Sequence, residues 1–483
     1  MSVLNNLEPR AVFHYFEALS PIPRGSGNTA AVSGWLVRFA RERGLEVHQD
    51  RMGNVVIIRE AAPGYEAAEP VILQGHMDMV CERAPGCRKD MAREGLDLRT
   101  DGKFVWAEGT TLGGDDGAAV AMELALLDSP HLAAPRIEAV FTVDEEVGML
   151  GAAGFDPSPL KGRRMVNLDS EAEGVFTVSC AGGNLSRCAL PVSRAPFGGQ
   201  LARLCVSGLT GGHSGSEILH GRANADILLG RLLQAMTGKT SVRLVSVSGG
   251  LKDNAIPTAA EGWAVVSDFA AAESAVTALA ASLKAEYSAT DPALAVSLAA
   301  QAPEKAPFSL PLDEDSTRRL VCLLVCAPNG VAAMSHDMPG LVQTSLNLGI
   351  LATTETEAAA SFCVRSSVDS QKAMLTGRLA CLTEQLGGSF RVSGDYAAWQ
   401  YRKDSPLREL MTEVFTEQYG RPPVIESIHA GVECGMFAGK LPELDCVSIG
   451  PNLTEIHTFR EKLEVASMRR VWDFVVELLR RMR

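Results

Sequence analysis

Five groups of residues carry side chains suited to chemistry. His76-Met77-Asp78 follows the apolar run Val71 to Gln74 and Gly75. A histidine and a carboxylate two apart, just beyond a strand, supply a metal ligand and the partner that fixes its tautomer and raises its basicity. Leu112-Gly113-Gly114-Asp115-Asp116-Gly117 stands directly before an alanine-rich helix, so Asp115 projects from a glycine turn, where one carboxylate can bridge two cations. Asp144-Glu145-Glu146 ends the apolar run from Ile137; adjacent carboxylates there repel one another unless a cation or solvent compensates. Asp169 closes Val166-Asn167-Leu168-Asp169, and His457 lies in the loop after Cys446 to Ile449. Read singly, these groups also fit a surface turn, a helix N-cap or a solvated acidic loop. Read together, four follow strands and the fifth begins a helix on the same layer, and ligands of open α/β sheets gather beyond the carboxyl ends of the strands. Two histidines and three carboxylates suit zinc, manganese or cobalt better than a thiolate site would. A spare glutamate beside a ligand glutamate is what a metal-assisted hydrolase needs as its general base.

The elements that must position these residues alternate in type. Val12 to Ser20, Ala30 to Arg43 and Gly117 to Leu127 read as helices, and Val55 to Arg59, Val71 to Gln74, Ile137 to Val143 and Met165 to Leu168 as strands. That alternation predicts an α/β sheet covered by helices. The middle of the chain changes character: strands over Leu201 to Ser207, Val242 to Ser248, Ala259 to Asp268 and Ala360 to Arg365 enclose helices over Ala223 to Met236 and Ala271 to Tyr287. Leu407 to Tyr419, Cys446 to Ile449 and Leu463 to Arg483 return to helix, short buried strand and terminal helix. The expected fold class is α/β: a mixed-sheet catalytic domain with helices on both faces, interrupted by an inserted α+β domain. The expected boundaries are 1–190, 191–398 and 399–483. The sequence displays no tandem repeat and no low-complexity tract.

Composition bounds the function classes. At roughly 150 residues per domain, 483 residues allow two to four. Forty-five basic against 58 acidic residues give a net charge of −13, which offers no basic excess for nucleic-acid binding by counterion release. Hydrophobic residues make up 46% and charged ones 21%, a globular balance far too apolar for a disordered chain. No uncharged apolar stretch reaches the ~18 residues of a membrane span. The N-terminus has neither the basic start nor the apolar core of a signal peptide. Eleven cysteines, an odd and scattered set, fit reduced thiols in a cytoplasmic protein.

The motifs resemble those of the co-catalytic M20 metallopeptidases, the family of carboxypeptidase G, peptidase T and the carnosinases, and most closely the bacterial aminoacyl-histidine dipeptidases. The resemblance rests on Gly109-Thr110-Thr111-Leu112-Gly113-Gly114-Asp115, Asp144-Glu145-Glu146-Val147-Gly148-Met149 and Asn167-Leu168-Asp169-Ser170-Glu171. It continues through Gly211-Gly212-His213-Ser214-Gly215, Arg222-Ala223-Asn224-Ala225, Asn254-Ala255-Ile256-Pro257, His429-Ala430-Gly431-Val432-Glu433-Cys434-Gly435 and Ile449-Gly450-Pro451. It implies two divalent metal ions, zinc first and manganese or cobalt as alternatives. His76, Asp115 and Asp169 would hold one, and Asp115, Glu146 and His457 the other. Asp78 would support His76, and Glu145 would be the base. The inserted block would be a lid and dimerisation domain. There, His213 would reach the partner subunit's site and steady the oxyanion, while Arg365 and Asn347 grip the substrate carboxylate. Arginine suits that grip through its bidentate fork. Glu433, in a glycine-rich loop, would face the substrate's ammonium. The implied activity is hydrolysis of small peptides, Xaa-His dipeptides above all, by a cytoplasmic homodimer with neither nucleic-acid nor membrane partners. One position departs from the wider family: Gly117 stands where a lysine is usual, as it does in the aminoacyl-histidine dipeptidases.

Three other readings remain. The first keeps the metals and changes the substrate to an acylated amino acid or amide. The second is a serine or cysteine hydrolase, but Gly212-His213-Ser214-Gly215-Ser216 lacks the final glycine of a nucleophile elbow, and Cys434 has no evident base. The third, a non-catalytic zinc scaffold, has no need of Glu145 beside Glu146. His14, His48, His131, His220 and His336 join no constellation.

Overall fold

The computed structural model describes residues 3–483. The chain forms two compact units: Met1–Ser179 with Tyr401–Ser427 and Val432–Arg483, and Cys180–Gln400 with Ile428–Gly431. The Gly-Pro-Ser cluster near 194–199 is a loop within the second unit, whose first strand, Gly182–Pro191, pairs only with strands of that unit.

The first unit is built on an eight-stranded mixed sheet. Its order is Glu46–Gln49, Val55–Arg59, Ile137–Thr142, Val71–His76, Arg164–Asn167, Asp445–Ser448, Val175–Cys180, Val424–Ile428. The four central strands, Ile137–Thr142 to Asp445–Ser448, run parallel. Their runs, such as Val71-Ile72-Leu73, are apolar without alternation because both faces are buried. Helix Gly114–Leu127 is buried nearly throughout and packs on Val71–His76. Gly75 permits the approach, since a Cβ there would stand 2.5 Å from the Ala119 Cβ and the Asp116 carboxylate. The final helix, Val465–Arg481, buries Met468, Val471, Phe474, Val475, Leu478 and Leu479 at helical spacing. Among the described residues no helix is long and apolar enough to cross a membrane, and no disulfide forms.

The second unit carries two β-α-β-β-α-β repeats. One comprises Gln200–Ser207, Ala225–Thr237, Val242–Gly249, Ala260–Val266, Phe269–Glu286 and Ala295–Ala300; the other Gly182–Pro191, Glu314–Cys326, Val342–Thr353, Glu357–Ser366, Asp369–Gln385 and Ser389–Tyr396. The first repeat is inserted after the opening strand of the second. Each sheet half has its fourth strand outermost, then the first, third and second. The two second strands meet at Gly249↔Leu351, closing one continuous sheet. No residue pattern in the sequence announces this duplication.

Candidate metal centre

Three of the parallel strands deliver their ligands to one edge, because register aligns them: His76 lies opposite Thr142, and Gln74 opposite Asn167. Beyond these ends come Glu145 with Glu146, and Asp169. Asp115 reaches the same place from the start of helix Gly114–Leu127, and His457 from the loop beyond Asp445–Ser448. His76 Nε2 stands 3.0 Å from Asp115 Oδ1 and 3.5 Å from Asp169 Oδ1. His457 Nε2 stands 3.1 Å from Asp115 Oδ2 and 3.0 Å from Glu146 Oε2. The two oxygens of Asp115 therefore face two different imidazoles. That is the geometry of a bridging carboxylate.

Asp78 is fully buried and organises the site from behind. It faces His76 Nδ1 at 3.4 Å and accepts hydrogen bonds from Ser26 Oγ at 2.8 Å and from the Glu145 amide at 3.1 Å. Asp144, the third member of the acidic run, turns away: its Oδ1 accepts the Gly27 amide at 2.6 Å. Asp116 is likewise committed elsewhere, its Oδ2 accepting the His76 amide at 3.2 Å.

The electrostatics are those of concentrated negative charge. Burial, then the charges of Asp169, Glu433 and Glu146, pushes Glu145 up to about 9 against the opposing pull of His76. Burial likewise raises Asp169 to about 6. Hydrogen bonds to Asp115 and Glu146 raise His457 to about 10. For Asp115, hydrogen bonds from His457 and His76 outweigh burial and hold it below the usual carboxylate range. Buried acids that retain protons, beside imidazoles that gain them, are a cluster short of positive charge. His76 with Asp116 and Asp169, His76 with Glu145 and Glu146, and Asp115 with Glu146 and His457 each bring candidate ligand atoms within 4.8 Å of one another. Glu146 Oε1 is buried without a hydrogen-bond partner among the described residues. Oxygen and imidazole donors so placed fit two divalent cations.

Two residues expected from the sequence to contact substrate also bond within the protein, and Glu433 Oε1 is buried without a hydrogen-bond partner among the described residues. Glu433 begins a helix, Glu433–Lys440, rather than lying in a glycine loop. It is fully buried, its Oε2 accepting from Gln74 Nε2 at 2.5 Å and Thr142 Oγ1 at 2.6 Å, so it braces the strand ends from below. Asn347 spends its amide nitrogen on the Ala255 carbonyl at 2.8 Å and its oxygen on Asn224 at 3.1 Å. It thereby secures the segment that pairs with His213.

In the second unit His213 and His429 group around the Arg365 cation. Arg365 is buried and donates to the Tyr396 hydroxyl at 3.3 Å, while its Nε has no partner among the described residues. Burial and then the Arg365 charge lower His213, and the same causes, with His213 added, push His429 down to about 3. His213 Nδ1 accepts the Gly215 amide at 3.3 Å and the Ser216 amide at 3.2 Å. The proton of the neutral ring thus sits on Nε2. Ser216 Oγ, 3.3 Å from the occupied Nδ1, finds no base there. Burial lifts the Cys434 thiol well above its ordinary range, which removes the thiolate a cysteine hydrolase requires.

Two participants escape sequence reasoning. Glu461, four residues after His457, accepts backbone amides from the turn that carries Asp115, and Arg24 donates to carbonyls on both sides of it. The only sequence signal is the proximity of Glu461 to His457; Arg24 has none. A Cβ at Gly117 would stand 2.6 Å from the Arg24 guanidinium, so a side chain where the wider family carries lysine would displace Arg24.

The model of peptidase family M20/M25/M40 matches residues 72–481. The cytosol non-specific dipeptidase of Escherichia coli (strain K12) is 35% identical over 486 residues, covering 99% of both chains. The crystal structure of aminoacylhistidine dipeptidase from Vibrio alginolyticus matches with a TM-score of 0.91 and 33% identity, over 99% of this chain and 98% of that one. A tripeptidase from Staphylococcus aureus matches at a TM-score of 0.55 and 14% identity, over 99% of each chain, a likeness of fold alone.

Proposed function

The chain belongs to peptidase family M20/M25/M40, and from that premise we propose that it is a metallo-dipeptidase whose preferred substrates are Xaa-His dipeptides. The observation that carries the reading is Asp115, with one oxygen toward His76 and the other toward His457. We assign His76, Asp115 and Asp169 to one cation and Asp115, Glu146 and His457 to the other, with zinc the first choice. When bound, two such cations lower the pKa of a shared water and polarise the scissile carbonyl.

The protein supplies the rest. Glu145, assigned to neither cation and ionised once bound cations offset the crowding that raises it, takes the proton of the attacking water and passes it to the leaving amine nitrogen. Asp78 holds both the His76 ring and the Glu145 amide in place. The His213 Nε2 proton is free to donate to the carbonyl oxygen as charge develops there. Arg365, buried and short of an anion, takes the C-terminal carboxylate of the substrate. The preference for C-terminal histidine leans on the Vibrio alginolyticus enzyme's printed activity, and the E. coli name supports a broader dipeptidase that shares the same machinery. A cytoplasmic location leans on the same E. coli relative. A homodimer, with neither nucleic-acid nor membrane partner, completes the proposal.

The test is a panel of Xaa-His, other Xaa-Xaa and N-acylated substrates, assayed after chelation and again with zinc, manganese or cobalt. Activity lost on chelation, restored by metal and highest on Xaa-His is expected. Hydrolysis of acylated amino acids with dipeptides untouched would move the chain to the aminoacylases, and full activity without metal would end the metallopeptidase reading.

A further inference from the structure

The turn that presents Asp115 is held from two sides by residues that touch no reacting atom. Glu461, only 2% exposed, accepts four consecutive backbone N–H groups. Oε2 takes those of Leu112 at 2.9 Å and Gly113 at 3.0 Å, and Oε1 those of Gly114 at 2.7 Å and Asp115 at 3.2 Å. A single carboxylate so placed satisfies the first two donors of helix Gly114–Leu127 and the two amides just before it. From the opposite side Arg24, also 2% exposed, donates through Nη1 to the carbonyls of Met77 and Asp78, 3.0 Å each, and through Nη2 to that of Gly113. One guanidinium therefore joins the segment just after His76 to the turn just before Asp115. Glu461 joins that turn to the loop bearing His457. No slack remains: a Cβ at Gly113 would stand 2.5 Å from Arg24 Nη2, and one at Gly114 3.1 Å from Glu461 Oε1.

We infer that Arg24 and Glu461 are a pair of positioning residues that clamp the Leu112–Asp115 turn, and thereby set the spacing of Asp115 from His76 and from His457. The inference rests on the two-cation reading above. Its chemistry is that of outer partners that orient ligands, whose loss costs roughly 10–100-fold in metal affinity or activity. Glu461→Gln replaces one acceptor oxygen by a donor and so loses two of the four amide bonds. Arg24→Met abandons all three carbonyls. Gly117→Ala is the milder variant, since it displaces the Arg24 guanidinium by crowding and keeps every charge.

The experiment measures zinc per chain and the rate of zinc release to a chelator, with melting temperature, kcat and KM alongside. Glu461→Gln and Gly117→Ala should release zinc at least about 10-fold faster than the parent, with kcat reduced and KM little changed. Glu461→Asp, which keeps the charge, should recover part of the loss. The double variant Arg24→Met with Glu461→Gln should lose less than the sum of its parts, because both act on one turn. If Gly117→Ala and a folded Glu461→Gln retain parental zinc release, the clamp is overturned even if the melting temperature falls. A parent chain that binds no divalent metal would overturn the two-cation reading itself, which is a separate outcome.

Discussion

Glu145 and Glu146 are neighbours with opposite duties, and the difference shows only in geometry. Glu146 Oε2 is 3.0 Å from His457 Nε2, whereas Glu145 makes no such close pair with either histidine and is tied through its amide to Asp78. Glu145→Gln should keep both metals and lower turnover by roughly 10²–10⁴-fold, the usual worth of general acid–base catalysis. Glu146→Gln should lower metal content first. Metal analysis beside steady-state kinetics separates the two, and reversed outcomes would exchange base and ligand. Asp115→Ala should empty both positions, while His76→Ala weakens one more than the other; isothermal titration with zinc would read this as loss of two binding events against one. The residues that gather at the strand ends were legible in the sequence because metal chemistry demands particular side chains at particular strand ends. Glu461 and Arg24 were not, because a carboxylate that serves backbone amides and a guanidinium that serves carbonyls leave no mark in residue type. For Glu433 and Asn347, polarity and motif match announce a contact, and only packing reveals which bonds each polar group already makes.

At the level of elements, the central parallel strands were readable as unbroken apolar runs, and helix Gly114–Leu127 as an alanine-rich stretch. The ends were harder, since strand Val71–His76 runs on through Gly75 into His76 itself. Helix Ala225–Thr237 contains a feature no pattern suggests. Asp226, its second residue, is fully buried with neither oxygen partnered among the described residues, and burial pushes its carboxyl up to about 8. The unfolded chain releases this proton near the ordinary aspartate pKa while the folded chain keeps it. Between those values the folded state binds more protons, so stability falls as pH rises, by about 1.36 kcal/mol per unit for a single group. Asp226→Asn, which fills the same space without a proton to lose, should melt at nearly the parental temperature near pH 4 and increasingly above it toward pH 8. Denaturant titrations at pH 4.5, 6 and 7.5 would show it. A constant difference across that range would mean that Asp226 finds a partner in solution.

For the molecule as a whole, the two-part division was visible as a change in the character of the elements, but the doubling within the second unit was not, because the two repeats share topology without shared residues. The grouping there bears on how subunits cooperate. His213 and Arg365 lie in one unit of one chain and influence each other electrostatically. If Arg365 holds the substrate carboxylate, the same chain's His213 meets that substrate as well, whether the pair serves its own chain's metal centre or a partner's. Co-expressed His213→Ala and Arg365→Ala chains make heterodimers in about half of the pairs. Those heterodimers should be as inactive as their parents, and recovered activity in verified heterodimers would show that His213 and Arg365 serve different sites. The nesting of the repeats also fixes an order of events at the ribosome. Strand Gly182–Pro191 bonds only to Glu357–Ser366 and Ser389–Tyr396, both made after the whole inner repeat. At about 5–20 residues per second, its two edges stay open for many seconds while Gln200–Ser207 and Ala260–Val266 already have each other. The outer repeat is thus the portion of a nascent chain most open to wrong strand pairing, and the inner one is complete before the outer can close around it.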